Sequence, residues 1–124
     1  MFIFPIYSGC AHTGNSNGRN WFSLELPTAE KVTKVQIARR TDCCWQQGQN
    51  IKITIGPSSS YDTNEPTCLP EIDLRASGLQ DYLCTENPPP GKFVKLSKIG
   101  LLALCEVKVF ILKNVSGGYW FFIS

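Results

Sequence analysis

The chain has 124 residues, with 12 Lys and Arg against 10 Asp and Glu for a formal net charge of +2. That length holds one core, 43% hydrophobic content excludes a disordered chain, and so mild a charge excludes nucleic acid as a partner. Six cysteines and a single histidine are the unusual counts, and an even cysteine set in a short chain reads as a disulfide framework made in an oxidising compartment.

In chain order, residues 1–7 are apolar but carry no basic segment, so they do not read as a signal peptide. No apolar run reaches the roughly 18 residues that a membrane span needs. Turn residues fill positions 14–20, and residues 21–26 read as a short strand that Pro27 ends. Val35 and Ile37 alternate with Lys34, Gln36 and Ala38, the period of a half-buried strand. Ile51, Ile53 and Ile55 alternate with Lys52 and Thr54 until Gly56 and Pro57 stop them. A long loop follows over 57–66, and a proline-rich one over 87–91. Val94 and Leu96 then alternate with Phe93 and Lys95, and Cys105, Val107, Val109 and Ile111 occupy one face opposite Glu106 and Lys108. After Gly118 the segment 119–123 reads as an exposed apolar tail, so both ends of the chain look ragged. Asn114, Val115 and Ser116 form a glycosylation sequon, in keeping with secretion. No helical stripe longer than two turns and no internal repeat interrupts this pattern. Short alternating strands with long loops predict an all-β antiparallel sandwich, an architecture that hosts many functions.

The densest chemistry lies between Arg39 and Trp45. Adjacent Cα atoms are about 3.8 Å apart, below the usual disulfide window of roughly 4.4–6.8 Å, so a Cys43–Cys44 bond would close a tight ring. Such a ring presents a rigid, weakly polar ledge; pairing of each cysteine elsewhere is the alternative that spacing leaves open. Arg40 and Asp42, two apart on extended chain, project from one face, where the acid would orient the guanidinium toward acceptors such as sugar hydroxyls. An exposed ion pair without a role explains the same two residues, and a loop residue without a role explains His12. Zinc lacks a Cys-x-x-Cys pair and has one imidazole at most. An enzyme using Cys43 or Cys44 with His12 as base would need a reduced thiol, against the oxidised framework, so no catalytic residue is assigned.

Taken in series, Cys10-Ala-His12-Thr13, Trp21 to Leu26, Arg40-Thr-Asp42-Cys43-Cys44, Ile51 to Gly56, Gly91 to Val94 and Leu104-Cys105-Glu106-Val107 resemble the F-type lectin domain, the fucolectin family. The resemblance runs over residues 8–112 and leaves 1–7 and 113–124 as atypical ends. It implies a jelly-roll of the discoidin-like, galactose-binding-domain-like kind, lacking its first strand or strands. It also implies a secreted, non-catalytic, calcium-associated lectin module that takes fucosylated glycans as partners and recurs as homo-oligomers or tandem domains. On this sequence His12, Arg40, Asp42, Cys43, Cys44 and the position of Gln47 match the sugar-binding motif. The resemblance selects one pairing from the fifteen possible: Cys10–Cys105, Cys43–Cys44 and Cys68–Cys84.

Two departures accompany it. The family has a basic residue where Gln47 stands, and losing one charge-assisted contact should cost about 1.5–3 kcal/mol. Most family calcium ligands precede the first cysteine; here Gly9, Cys105 and Glu106 match what remains, short of the roughly six to eight oxygens calcium takes. The expectation is a weak calcium site or none. The alternative reading is a degenerate sandwich that has lost fucose and calcium and contacts protein or lipid surfaces.

Overall fold

The structure is a computed structural model that describes residues 10–14, 16–41, 43–74 and 78–112, with the backbone of Gly118–Phe122. Ten strands occur among the described residues: β1 (Ala11–His12), β2 (Arg19–Glu30), β3 (Val32–Ala38), β4 (Ile51–Gly56), β5 (Thr67–Ile72), β6 (Gln80–Leu83), β7 (Gly91–Ile99), β8 (Ala103–Leu104), β9 (Glu106–Leu112) and β10 (Gly118–Phe122). They form two four-stranded sheets, β10-β9-β3-β6 and β2-β7-β4-β5, and a β1-β8 ribbon, with every pair antiparallel. The helical content among the described residues is one 3₁₀ turn, Trp45–Gly48. No helix of the described residues is long and apolar enough to cross a membrane.

The core is where the alternation puts it. Phe22, Leu24 and Leu26 of β2, Ile51, Ile53 and Ile55 of β4, and Val94 and Leu96 of β7 meet Val35 and Ile37 of β3 and Val107, Val109 and Ile111 of β9 in one buried cluster. Two sheets thus share one apolar layer, and burying each of these side chains stabilises the fold by about 1.5–3 kcal/mol. The antiparallel sandwich expected from the sequence is the fold observed.

Prolines depart from expectation in an instructive way. Pro27 does not end its strand, because β2 lies at the outer edge of its sheet and its register to β7 shifts between Glu25 and Glu30. Pro70 similarly sits exposed in β5, the opposite edge of the same sheet. Edge strands tolerate proline because one side of their backbone has no partner to satisfy. The segment after Gly118 is corrected too: its backbone pairs with β9, Tyr119 opposite Ile111 and Phe121 opposite Val109, and so forms an edge strand rather than a trailing tail.

A second layer covers the outer face of the β2-β7-β4-β5 sheet. Ser23, Lys95 and Thr54 lie side by side across β2, β7 and β4, and Lys95 is fully buried. Lys95 Nζ donates to the carbonyls of Ser58 at 2.5 Å and Ser60 at 2.8 Å, and pairs with the Glu65 carboxylate. Thr54 Oγ1 donates to the other Glu65 oxygen at 3.1 Å. Gly56 is required here, since a Cβ would overlap the Glu65 carboxylate. Trp21 Nε1 donates to Ser59 O at 3.0 Å, and Arg19 lies over the Tyr61 ring, so the 57–66 loop is tied down along its length.

Three disulfides join Cys10 to Cys105, Cys43 to Cys44 and Cys68 to Cys84, the pairing that the resemblance implies. Cys68 is the second residue of β5 and Cys84 follows β6, the edge strands of opposite sheets, so this bond clips the sandwich along one side. With a sequence separation of 16 it stabilises by about 3 kcal/mol in the chain-entropy model.

Candidate functional site

Among the described residues, His12, Arg40, Cys43, Cys44 and Gln47 lie on neighbouring elements at one end of the sandwich. β3 ends at Ala38, whose carbonyl accepts from Cys105 N at 2.9 Å, and Cys105 carries the disulfide to Cys10. Two residues past Cys10, His12 ends β1, opposite Ala103 of β8. β8 in turn lies against the Trp45–Gly48 turn. His12 and the 39–48 segment are therefore carried on neighbouring elements at the same end, although residues 12 and 40 are far apart in sequence.

His12 is exposed and its Nδ1 lies 2.9 Å from the Thr13 carbonyl, which orients the ring as an Nδ1 donor. Thr13 is itself locked: its N–H donates to Leu102 O at 2.9 Å, and its Oγ1 accepts from Leu102 N at 3.1 Å. The polar edge of His12 left by this arrangement is Nε2.

The Cys43–Cys44 bond closes across a trans peptide with a Cα separation of 3.7 Å. Cys44 adopts φ 63° and ψ 44°, the left-handed region that a residue with a Cβ enters at a cost of about 1–2 kcal/mol. That conformation turns the chain at once into the Trp45–Gly48 turn, where Gln47 N donates to Cys44 O at 2.9 Å. Cys43 is exposed and Cys44 half-buried, so the sulfur ledge faces solvent on a turn that holds it still. Arg40 Nη1 donates to Gln47 Oε1 at 3.4 Å, which places the two side chains as neighbours. Asp42 and Gly9, also expected at the sugar and calcium sites, lie outside the described residues, as do Asn15 and the 114–116 sequon.

Of the expected metal ligands, Cys105 and Glu106 lie among the described residues. Glu106 is half-buried at the start of β9 opposite Ala38, and the Cys105 N–H donates to Ala38 O of β3. Among the described residues no group of three or more His, Cys, Asp or Glu side chains could hold a metal ion. One carboxylate with main-chain carbonyls does not fit a calcium ion that takes about six to eight oxygens.

Two features escaped the sequence reading. Trp45, 61% exposed, stands directly after the sulfur ledge, and its signal was a tryptophan set among Cys, Gln and Gly rather than in an apolar run. Lys95, which alternates with the core residues Val94 and Leu96, is buried as well; only the chain that covers it reveals this.

No protein-family model matches the chain. Among curated proteins, fucolectin-6 of Anguilla japonica is 33% identical over 106 residues, 83% of this chain and 54% of that protein. The chain thus spans little more than half the length of that relative. Among solved structures, the f-lectin from Morone saxatilis (striped bass) serum superposes with a TM-score of 0.66 at 25% identity, over 86% of this chain and 38% of that one. The fucose binding module SpX-3 of Streptococcus pneumoniae superposes with a TM-score of 0.60 at 27% identity, over 84% of this chain and 73% of that one. With 33% identity to a fucolectin over 83% of the chain and superposition on an f-lectin over 86% of it, the chain belongs to the F-type lectin, or fucolectin, domain family.

Proposed function

We propose that this domain is a non-catalytic lectin module that binds L-fucose in glycans, at the end of the sandwich built by β1, β8 and the 39–48 segment. The observation that carries this reading is the solvent-facing Cys43–Cys44 ledge held beside Arg40 by a left-handed Cys44. Fucose is a deoxysugar, with hydroxyls and a ring oxygen on one side and an apolar C6 methyl on the other. His12 Nε2 and the Arg40 guanidinium supply polar contacts, Gln47 a neutral one, and the disulfide with its Cβ atoms a weakly polar wall. Asp42 is proposed to orient Arg40. Such a surface site binds single sugars weakly, and several copies, by oligomerisation or tandem domains, raise avidity. Three disulfides favour an oxidising, extracellular setting, in line with the serum origin of the striped bass lectin.

The test is calorimetric titration with L-fucose, expected to give saturable weak binding; the absence of any fucose-dependent heat at millimolar sugar overturns the reading and favours the degenerate module. The variant Gln47→Arg is expected to tighten L-fucose binding by about tenfold, because its guanidinium would stand beside Arg40 and face the same ligand. Unchanged or weaker binding would remove position 47 from the site.

Calcium makes no step in this proposal, because the donors among the described residues fall short of a coordination shell. Chelation with EDTA is therefore expected to change the L-fucose dissociation constant by less than about twofold. A tenfold loss, restored by calcium, would show that the carbonyls and Glu106 hold the ion after all.

A further inference from the structure

The turn that leads from β1 into β2 carries the pair Asn17-Gly18, exposed at both residues. We propose that Asn17 is a site of spontaneous covalent modification, where the folded chain converts its amide into a carboxylate through a succinimide formed with Gly18. The inference concerns a chemistry separate from sugar binding and does not depend on it.

The reaction needs only the chain and water. The main-chain nitrogen of Gly18 attacks Asn17 Cγ, and the new C–N bond closes a five-membered ring. The Asn17 amide nitrogen leaves as ammonia, taking the proton that the Gly18 nitrogen gives up. Water then opens the ring at either carbonyl. One opening yields aspartate; the other reroutes the main chain through Cγ and yields isoaspartate. Nothing is oxidised or reduced.

The structure leaves both reacting groups open. Neither the Asn17 side chain nor the Gly18 N–H is engaged by a hydrogen bond among the described residues. Glycine has no side chain to shield the attacking nitrogen. Apart from chain neighbours, an added Cβ at Gly18 would find one atom within 4 Å, Ser16 Oγ at 3.9 Å.

The other described asparagines are each blocked. Asn20 Nδ2 donates to Gly100 O at 2.8 Å, its Oδ1 accepts from Ser16 Oγ at 3.0 Å, and the bulky Trp21 follows it. Asn50 precedes Ile51, which is buried and β-branched. Asn64 precedes Glu65, whose N–H donates to Asp62 O at 3.3 Å. Asn87 precedes Pro88, which has no N–H to attack with.

The product alters the turn in two ways. The formal net charge of +2 falls by one, with the new carboxylate two residues before Arg19. Isoaspartate also adds one carbon to the main chain, inside a loop pinned at both ends. Thr13 N donates to Leu102 O at 2.9 Å at one end, and Gly100 N to Gly18 O at 3.0 Å at the other. The extra length has to be taken up between these two bonds.

The experiment incubates wild type and G18A in neutral buffer, both folded and in urea, and maps their peptides by mass over time. In folded wild type, acid should appear at Asn17 about tenfold faster than at Asn20, Asn50 or Asn64. Isoaspartate at that position should accept methyl-ester labelling by an isoaspartyl methyltransferase. G18A should slow the conversion about tenfold, because its methyl group shields the attacking nitrogen. It should melt with wild type, since position 18 has room for that group. Its rate in urea tests the steric argument however it folds. Folded and unfolded wild type should convert Asn17 at rates within about threefold of each other. Conversion about tenfold slower in the folded protein would overturn the proposal, by showing that the turn withholds the site. Equal rates at Asn17 and Asn64, or an unchanged rate in G18A, would overturn it as well.

Discussion

Replacing Lys95 with methionine lowers the free energy of unfolding by about 3–5 kcal/mol, read from the midpoint and slope of urea denaturation. The physical reason is what remains behind. Glu65 is buried with Lys95, and removing the ammonium leaves a carboxylate with only Thr54 Oγ1 for company, together with the orphaned carbonyls of Ser58 and Ser60. The 57–66 loop should loosen first, since Lys95 is the anchor from which three of its residues hang. Combining Lys95→Met with Glu65→Leu is expected to recover about half of the loss, because the unpaired charge is gone while the two carbonyls stay unmet. A double variant no more stable than the single would assign the penalty to the carbonyls alone. A single variant within about 1 kcal/mol of wild type would mean that water reaches the pair.

Removing the Cys10–Cys105 bond, with serine at both positions, is expected to lower stability by about 4–5 kcal/mol. The bond closes a loop across a sequence separation of 95, so its loss frees most of the unfolded chain from a constraint. The site feels the same change through a different route. β1 is only two residues long and its pairing with β8 is too short to hold alone, so His12 depends on Cys10 for its place. Circular dichroism of the thermal transition should therefore report a lower midpoint, and L-fucose titration a weaker affinity at temperatures where the variant is still folded. Unaltered fucose binding in a destabilised variant would show that His12 is held by Thr13 and Leu102 rather than by the disulfide.

Much of the sandwich was legible in the alternation of β2, β3, β4, β7 and β9, because each has one face against the shared core and the period of two survives in the residue order. β5 and β6 were not legible. β5 carries Pro70, and β6 is a four-residue edge strand with Leu83 exposed, so neither offers a clean apolar face. The pairing of the six cysteines was not in their spacing at all; it came from the resemblance in the order of motifs, and the structure has the same three bonds. Of the residues expected at a sugar site, His12, Arg40, Cys43, Cys44 and Gln47 lie on neighbouring elements of one end, whereas Asp42 lies outside the described residues. The calcium ligands were doubtful from the donor count alone, and among the described residues no group of three or more His, Cys, Asp or Glu could hold a metal ion.

By itself, the sequence determined that this is one disulfide-bonded β domain, of nearly balanced charge, with a cysteine pair set between charged residues and a family likeness running through it. Those properties depend on local order: residue period, neighbouring residues and the succession of motifs. Only the tertiary structure decided that Lys95 is interior, that Pro27 and Pro70 sit on edges, that the segment after Gly118 pairs with β9, and that Trp45 and Asp73 line one open concavity. Each of these depends on what a distant piece of chain covers or leaves uncovered. Strand periodicity tells the two faces of a sheet apart, but it carries no information about whether a loop 30 residues away will close over the outer one.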